Sequence, residues 1–443
     1  MTARVIRGVA LVAVVGALLR FGAGREAPRN LILISIDTLR ADHLGSYGYA
    51  RATSPALDAF ARRGARFTRA VSQAPSTPYS HMTLLTSMYT SALGVGPQDQ
   101  HLPAARTTLA EILHGHGFAT WGFVDGGYLR RVFGFDQGFD SYQDLPVHVM
   151  VLRSLAEQWL RDHHAERFFL FFHFYDVHSP YKPPKAYRSR FEDPPYRGNF
   201  EPTTEGLLDV QKGARKLDAE DLRHVVAQYD AGISYADDQL GLLFTSLEAR
   251  GLLASSVVVV LADHGEEFLE HGSVLHWQNY FAPNLHVPLI VVAPGRQGMV
   301  VDGTVELIDV LPTVLDLLGL PPHPEAMGRS LVPRMDGAPA DPERVAYEEP
   351  FELTIPVRTV ISDRYQLIVD TASGARRLFD LAKDPFATVD VAAREPAVVA
   401  TLAAALEAHR SAAAARAAGA APGAPTAIDE ETRRQLRALG YVQ

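Results

Sequence analysis

Residues 30–36 read N-L-I-L-I-S-I and run directly into Asp37. A short, almost wholly apolar run bounded by polar residues fits a strand buried on both faces of a parallel sheet, because a strand with one wet face alternates instead. Residues 168–175 (F-F-L-F-F-H-F-Y), 256–261 (S-V-V-V-V-L) and 287–292 (V-P-L-I-V-V) repeat the pattern. Helix-like stretches lie between these runs, at 54–63, 107–115, 152–163, 222–251 and 305–318. Strands alternating with helices predict an α/β sandwich, a large mainly parallel central sheet flanked by helices. In such sheets ligands collect beyond the carboxyl ends of the strands, where Asp37 falls.

From about residue 345 the texture changes. Residues 357–369 alternate imperfectly and 375–381 form another short candidate strand, which predicts a small antiparallel C-terminal subdomain over 346–410. Residues 392–418 are rich in alanine and arginine and helix-prone, and G-A-P at 423–425 interrupts them. Residues 411–443 are therefore expected to be an alanine-rich linker and terminal segment, and 28–345 the main α/β domain. Internal repeats, a P-loop and a dinucleotide fingerprint are absent from the sequence.

At 443 residues the chain is about three times a common domain length of roughly 150, long enough for a large core. Hydrophobic residues at 47% and charged residues at 21% match soluble globular proteins and exclude wholesale disorder or a multi-spanning membrane protein. The 42 Lys plus Arg against 51 Asp plus Glu give a formal net charge of −9, which argues against a nucleic-acid partner. There is no cysteine, so disulfides, thiolate nucleophiles and cysteine-bound metals are excluded. Any metal must rest on Asp, Glu, His or hydroxyl oxygen.

Arg4 and Arg7 precede an apolar run at 8–19, and small residues follow at 22–24. This is the pattern of an export signal over residues 1–27, since the run is shorter than the ~20 residues that cross a bilayer. The chain is expected to be exported, periplasmic or extracellular, with the signal cleaved or kept as an inner-membrane anchor; any membrane association runs through this N-terminus only.

Asp37 follows the first apolar run, and Asp263 and His264 follow the third after one alanine. Side chains just past parallel strand ends converge on one cleft, and two Asp with one His supply oxygen and imidazole ligands for a divalent cation. A lone Asp after a strand also serves as a helix cap or turn residue. The D-H-G-E run at 263–266 is harder to explain that way, since adjacent ionisable groups at a buried strand end are costly unless something pairs with them. The stretch 74–87 (A-P-S-T-P-Y-S-H-M-T-L-L-T-S) offers hydroxyls at the start of a candidate helix, where free N–H groups favour an anion.

These pieces, in this order, resemble the sulfatase branch of the alkaline phosphatase superfamily over nearly the whole chain after the signal. They are I-D-T-L-R-A-D-H-L-G-S-Y-G-Y at 36–49, H-M-T-L-L-T-S-M-Y at 81–89, F-G-F-D-Q-G-F-D at 133–140 and F-Y-D-V-H-S-P-Y-K-P-P at 174–184. Further on come Y-D-A-G-I-S-Y-A-D-D at 229–238, L-A-D-H-G-E-E at 261–267, I-D-V-L-P-T-V-L at 308–315, L-F-D-L-A-K-D-P at 378–385 and L-G-Y-V at 439–442. The resemblance implies a single divalent metal on Asp37, Asp263, His264 and the nucleophile. Thr38 stands where the family has a second aspartate, which leaves calcium, manganese, magnesium and zinc all open.

The family's cysteine or serine, the precursor of formylglycine, is replaced. Counting back nine residues from Thr86 places Thr77 at that position, and His81 replaces the arginine partner. Threonine is not a formylglycine precursor, so no formylglycine is expected. Thr77 is then a metal-bound nucleophile, as in phosphate-handling branches of the superfamily. His178 matches the family's substrate-anion histidine, and His276 stands where sulfatases carry a lysine; both would donate to anionic oxygens or protonate the leaving group. His173, His286 and His163 with His164 read as packed or surface histidines. Asp144 with His148 has the spacing of a second metal pair without its context. The expectation is a metal-dependent hydrolase of an anionic sulfate or phosphate ester, with a phosphodiesterase or phosphotransferase and a catalytically silent anion-binding protein as the alternatives. Substrate choice falls to loops such as 185–217, whose polar composition suits a solvated insertion.

Overall fold

A computed structural model describes residues 28–96, 100–276, 280–349, 356–417 and 428–441. The export signal expected at 1–27 and the break at 423–425 lie outside the described residues. Among the described residues no helix is long and apolar enough to cross a membrane.

The strands, in chain order, are β1 (Asn30–Ile36), β2 (Ala65–Val71), β3 (Ala119–Val124), β4 (Ser141–Asp144), β5 (Phe168–Phe174), β6 (Ser256–Ala262), the short pair β7 (Glu267–Phe268) and β8 (Val274–Leu275), β9 (His286–Val292) and β10 (Met299–Glu306). Eight of them form one sheet in the order β10-β2-β9-β6-β1-β5-β3-β4. The most apolar runs, β1, β5 and β6, lie at its centre and are buried along their whole length. All neighbours are parallel except β9, which is antiparallel to both β2 and β6. Residues 287–292 thus carry the fully buried pattern without the parallel orientation, because burial on both faces, not strand direction, sets the pattern.

Helices pack on both faces. The Ala219–Ala249 helix is capped by Asp218, whose side chain accepts from the N–H groups of Glu220 and Asp221. Three residues of its Y-D-A-G-I-S-Y-A-D-D motif brace the loops around β1. The Tyr229 hydroxyl donates to the Thr38 carbonyl at 2.7 Å and accepts from Arg40 N at 2.9 Å. Asp230 takes hydrogen bonds from Tyr49 and Arg51, and Asp237 accepts from Ala56 N and Leu57 N at the start of the Pro55–Ala61 helix. The motif is structural.

The expected helix at 305–318 divides into the end of β10, a capping box between Glu306 and Asp309, and a helix over Val310–Leu317. Arg344 pairs with both Glu306 and Asp309, and this buried network accounts for the I-D-V-L-P-T segment. The 185–217 stretch is no loose insertion: it holds helices at Lys185–Arg188 and Thr204–Gln211 and buries Phe200 and Leu207 in the main core.

The second sheet, β11 (Ala346–Glu348), β12 (Val357–Ile361), β13 (Tyr365–Asp370) and β14 (Arg376–Asp380), is antiparallel throughout. The Pro396–Ala417 helix packs on it and continues past residue 410, where a linker was expected to start. Residues 428–441 of the terminal segment hold a further helix. Its Glu430–Ala438 helix is capped by Asp429 and tied to the main body where Thr204 Oγ1 donates to the Ala438 carbonyl at 3.0 Å.

Candidate active site

Parallel register brings the strand ends together. Ser35 of β1 lies opposite His173 of β5 and Leu261 of β6. The two-residue alternation therefore sends Asp37 and Asp263, just past the strand ends, to the same face of the sheet as Ser35 and His173. The Thr77–Thr86 helix lies across that face. Its first residue is Thr77, with the extended Ser76 before it and Pro78 at the second position, where a missing N–H costs no helical bond.

The chain bends sharply after each aspartate. Thr38 sits at φ 54°, unusual for a β-branched residue, and its N–H reaches Asp263 Oδ1 at 3.3 Å. A Cβ on Gly265 would stand 1.9 Å from the Pro283 carbonyl oxygen, so the D-H-G turn accepts only glycine.

Thr77 Oγ1 donates to Asp37 Oδ2 at 3.1 Å and lies 3.4 Å from His264 Nε2. His264 Nδ1 is 2.9 Å from the Gly265 carbonyl, an acceptor only, so the proton is on Nδ1 and the Nε2 lone pair points into the site. Asp37, Asp263 and His264 are fully buried and offer ligand atoms all within 4.8 Å of one another. Asp263 Oδ1 accepts from Thr38 N and His264 N, whereas Asp263 Oδ2 and Asp37 Oδ1 have no hydrogen-bond partner. Burial and the neighbouring Asp263 hold the Asp37 carboxyl well above its usual range. Two buried carboxylates with orphaned oxygens and an imidazole lone pair suit a divalent cation. These residues would hold it.

His81 is one turn after Thr77 and has a different task from the arginine it replaces. Its Nδ1 donates to the Thr77 carbonyl at 2.8 Å and its Nε2 accepts from Ser35 Oγ at 2.9 Å, so it fixes the first helical turn and has no ring nitrogen left for a substrate. His173, expected to be merely packed, joins His81 and Asp263 in a second buried group within 4.8 Å. Asp144 and His148 do not come together as a metal pair: His148 bonds Asp176 at 2.9 Å, and Asp144 caps Arg131 N.

The opposite wall holds His178 and His276, with ring centroids 5.2 Å apart, and the His276 ring lies tilted against His264 with centroids 4.3 Å apart. Burial pushes His178 down to about 3 and His276 well below the usual imidazole range, so both are neutral. His178 Nδ1 gives its proton to the Ser179 carbonyl at 2.5 Å, which leaves Nε2 as an acceptor rather than the anion donor expected of it. His276 Nδ1 is 3.0 Å from Glu266 Oε1, and the Tyr181 hydroxyl donates to Glu266 Oε2 at 2.7 Å. Burial lifts that carboxyl to about 7.

Tyr441 completes the wall. Its hydroxyl is 3.2 Å from His178 Nε2, to which it donates, and 3.0 Å from Thr77 Oγ1. The L-G-Y-V segment carries the tyrosine, but nothing in its spacing reports on a contact across the fold. The structure brings Asp37, Thr77, His178, Asp263, His264 and His276 together, with His173, Glu266 and Tyr441 beside them, and turns both ring nitrogens of His81 to the Thr77 carbonyl and Ser35.

Comparison with known proteins identifies a family for the chain. A model of the sulfatase family matches residues 29–320. Arylsulfatase K of Bos taurus is 30% identical over 206 residues, 42% of this chain and 37% of that protein, so the chain spans well under half the length of that relative. An ulvan-active sulfatase of Formosa agariphila is 25% identical over 402 residues, 81% of this chain and 76% of its own. Among solved structures, the phosphonate monoester hydrolase of Agrobacterium radiobacter superposes with a TM-score of 0.72 at 22% identity, over 87% of this chain and 96% of that one, a likeness of fold. With 292 of its residues matched by the family model, the chain belongs to the sulfatase family.

Proposed function

We propose that the protein hydrolyses a sulfate or phosphate ester, with the Thr77 hydroxyl as nucleophile and one divalent cation on Asp37, Asp263 and His264. The observation that carries this reading is the convergence on Thr77 Oγ1 of Asp37 Oδ2 at 3.1 Å and His264 Nε2 at 3.4 Å, at the start of a ten-residue helix whose N-terminus favours an anion. Calcium, manganese, magnesium and zinc are the candidate ions, and a bound cation would lower the pKa of the hydroxyl and offset the buried negative charge.

The chain's own groups divide the work. Thr77 Oγ1 forms a bond to sulfur or phosphorus as the bond to the ester oxygen breaks. The hydroxyl proton has Asp37 Oδ2 as its first acceptor and ends on the departing alcohol, on the side lined by His178 and His276. Water then displaces Thr77 from the sulfate or phosphate, and one of its protons restores the hydroxyl. His81 is a positioning residue that holds the Thr77 turn through the backbone.

A phosphodiesterase or phosphotransferase is the second reading, and the threonine itself favours it. A formylglycine hydrate can expel sulfate by collapsing to an aldehyde, whereas a threonine ester must be attacked by water or another acceptor. The named relatives act on both sulfur and phosphorus centres, an ulvan-active sulfatase and a phosphonate monoester hydrolase, which supports the broad ester class. The N-terminal pattern supports an exported protein, periplasmic or extracellular, and the two sheets support a catalytic unit over 28–345 with a subdomain after it.

Hydrolysis of an aryl sulfate, an aryl phosphate and a bis-aryl phosphate, each with and without added metals, tests the reading. Metal-dependent turnover of at least one is expected, with Thr77→Ser keeping part of it. Absence of turnover on all three in metal-loaded protein would contradict it.

A further inference from the structure

His173 is buried completely, and neither of its ring nitrogens has a hydrogen-bond partner. An imidazole in this state costs free energy, since burial strips its water and nothing replaces it. The neighbourhood explains what could. His173 Nε2 lies 3.4 Å from Asp37 Oδ2, and a ring nitrogen lies within 4.8 Å of Asp263. Both carboxylates carry an oxygen that is equally without a partner, Asp37 Oδ1 and Asp263 Oδ2. Three buried side chains, each with an unsatisfied polar atom, therefore lie side by side. Hydrogen bonding among themselves does not resolve this, because 3.4 Å is long for a charge-assisted bond to a carboxylate.

His81 is no substitute. Both of its nitrogens are committed, to the Thr77 carbonyl and to Ser35, and it stands edge-on to His173 with ring centroids 5.0 Å apart. The strand register fixes His173 in place: it sits opposite Ser35, two residues before Asp37, on the face to which both aspartates turn.

We propose that His173 is a direct ligand of the divalent cation held by Asp37, Asp263 and His264, so that two imidazoles and two carboxylates bind it and the site selects a first-row transition ion over calcium. This rests on the metal-site reading above and extends it. The selectivity follows from donor type, since calcium takes oxygen ligands at six to eight positions whereas imidazole suits zinc, copper, iron and nickel. A second histidine in the inner shell also compensates for Thr38, which offers no carboxylate where the family has one.

Pulsed electron paramagnetic resonance of the full chain loaded with Mn(II) counts coordinated imidazole nitrogens. Two are expected in the wild type and one in His173→Asn, with His81→Gln still at two. Equilibrium dialysis of the same proteins should show Mn(II) and Zn(II) affinity falling in His173→Asn by more than the ~10–100-fold that loss of an outer-shell partner costs, while the weak Ca(II) affinity changes little. A single nitrogen in the wild type would overturn the proposal even if His173→Asn failed to fold. Two nitrogens retained in His173→Asn, or one lost in His81→Gln, would overturn it as well. One coordinated nitrogen would leave the site on Asp37, Asp263 and His264 standing, whereas no bound Mn(II) at all would refute both.

Discussion

The Tyr441 hydroxyl lies 3.0 Å from Thr77 Oγ1, a contact that joins residues 364 positions apart. The same oxygen is 3.2 Å from His178 Nε2, so Tyr441 bridges Thr77 and the opposite wall. Tyr441→Phe deletes that oxygen and little else. The expected result is a loss of about tenfold in kcat/KM, the worth of one buried hydrogen bond at ~1–1.5 kcal/mol, with metal content unchanged. Steady-state kinetics beside a metal assay checks it; equal kinetics in the two proteins would mean that the contact does not serve the reaction.

How much of this was legible in the sequence follows from which physical signals are local. The β1, β5 and β6 runs could be read because a strand buried on both faces leaves no polar position in the pattern. Asp37, Asp263 and His264 could be found because each stands where such a run stops. Direction is not local, so β9 carried the same pattern while running antiparallel to its neighbours. His173 sits inside an apolar strand, where a histidine in the sequence looks like packing, and only register shows that it faces Asp37. Tyr441 follows the strongly charged Glu430–Ala438 helix, and its contact depends on how that helix docks.

Stability should fall on acidification through the buried imidazoles. His178 lies at about 3 in the folded chain because burial disfavours its charged form, against an ordinary value of 6.5. The unfolded chain therefore binds the extra proton first. The stability this neutral group contributes is complete above pH ~6.5 and is lost as pH falls toward 3, at about 1.4 kcal/mol per unit for this one group. Urea midpoints measured between about pH 4 and 6.5 should rise with pH, and His178→Gln should flatten the slope. An unchanged slope would place the titration elsewhere.

Asp37 and Asp263 repel in the absence of a cation, and this separates a ligand from a structural residue. In chelator, Asp37→Asn is expected to melt at the temperature of the wild type or above it, because a buried charge is removed. Added metal should raise the melting temperature of the wild type and leave the variant where it was. Calorimetry with and without metal decides; a large loss of stability in chelator would make Asp37 a fold residue.

Gly265 holds the D-H-G turn by close approach to Pro283. Gly265→Ala has no room for its methyl and should cost more than about 2 kcal/mol while lowering metal content, since His264 is displaced with it. Gly115, with nothing within 4 Å of a built Cβ, is the control: Gly115→Ala at the end of its helix should be neutral or mildly stabilising. Paired denaturation curves give both numbers.

The central claim is that Thr77 forms the covalent bond to the transferred group. The direct measurement is peptide mass analysis of wild-type protein quenched in acid during turnover of an aryl sulfate or aryl phosphate. The account predicts a sulfate or phosphate on the peptide that contains Thr77, absent from Thr77→Ala, whose turnover should fall by several orders of magnitude with metal still bound. An adduct on Ser76 or Ser80, or full activity in Thr77→Ala, would contradict it.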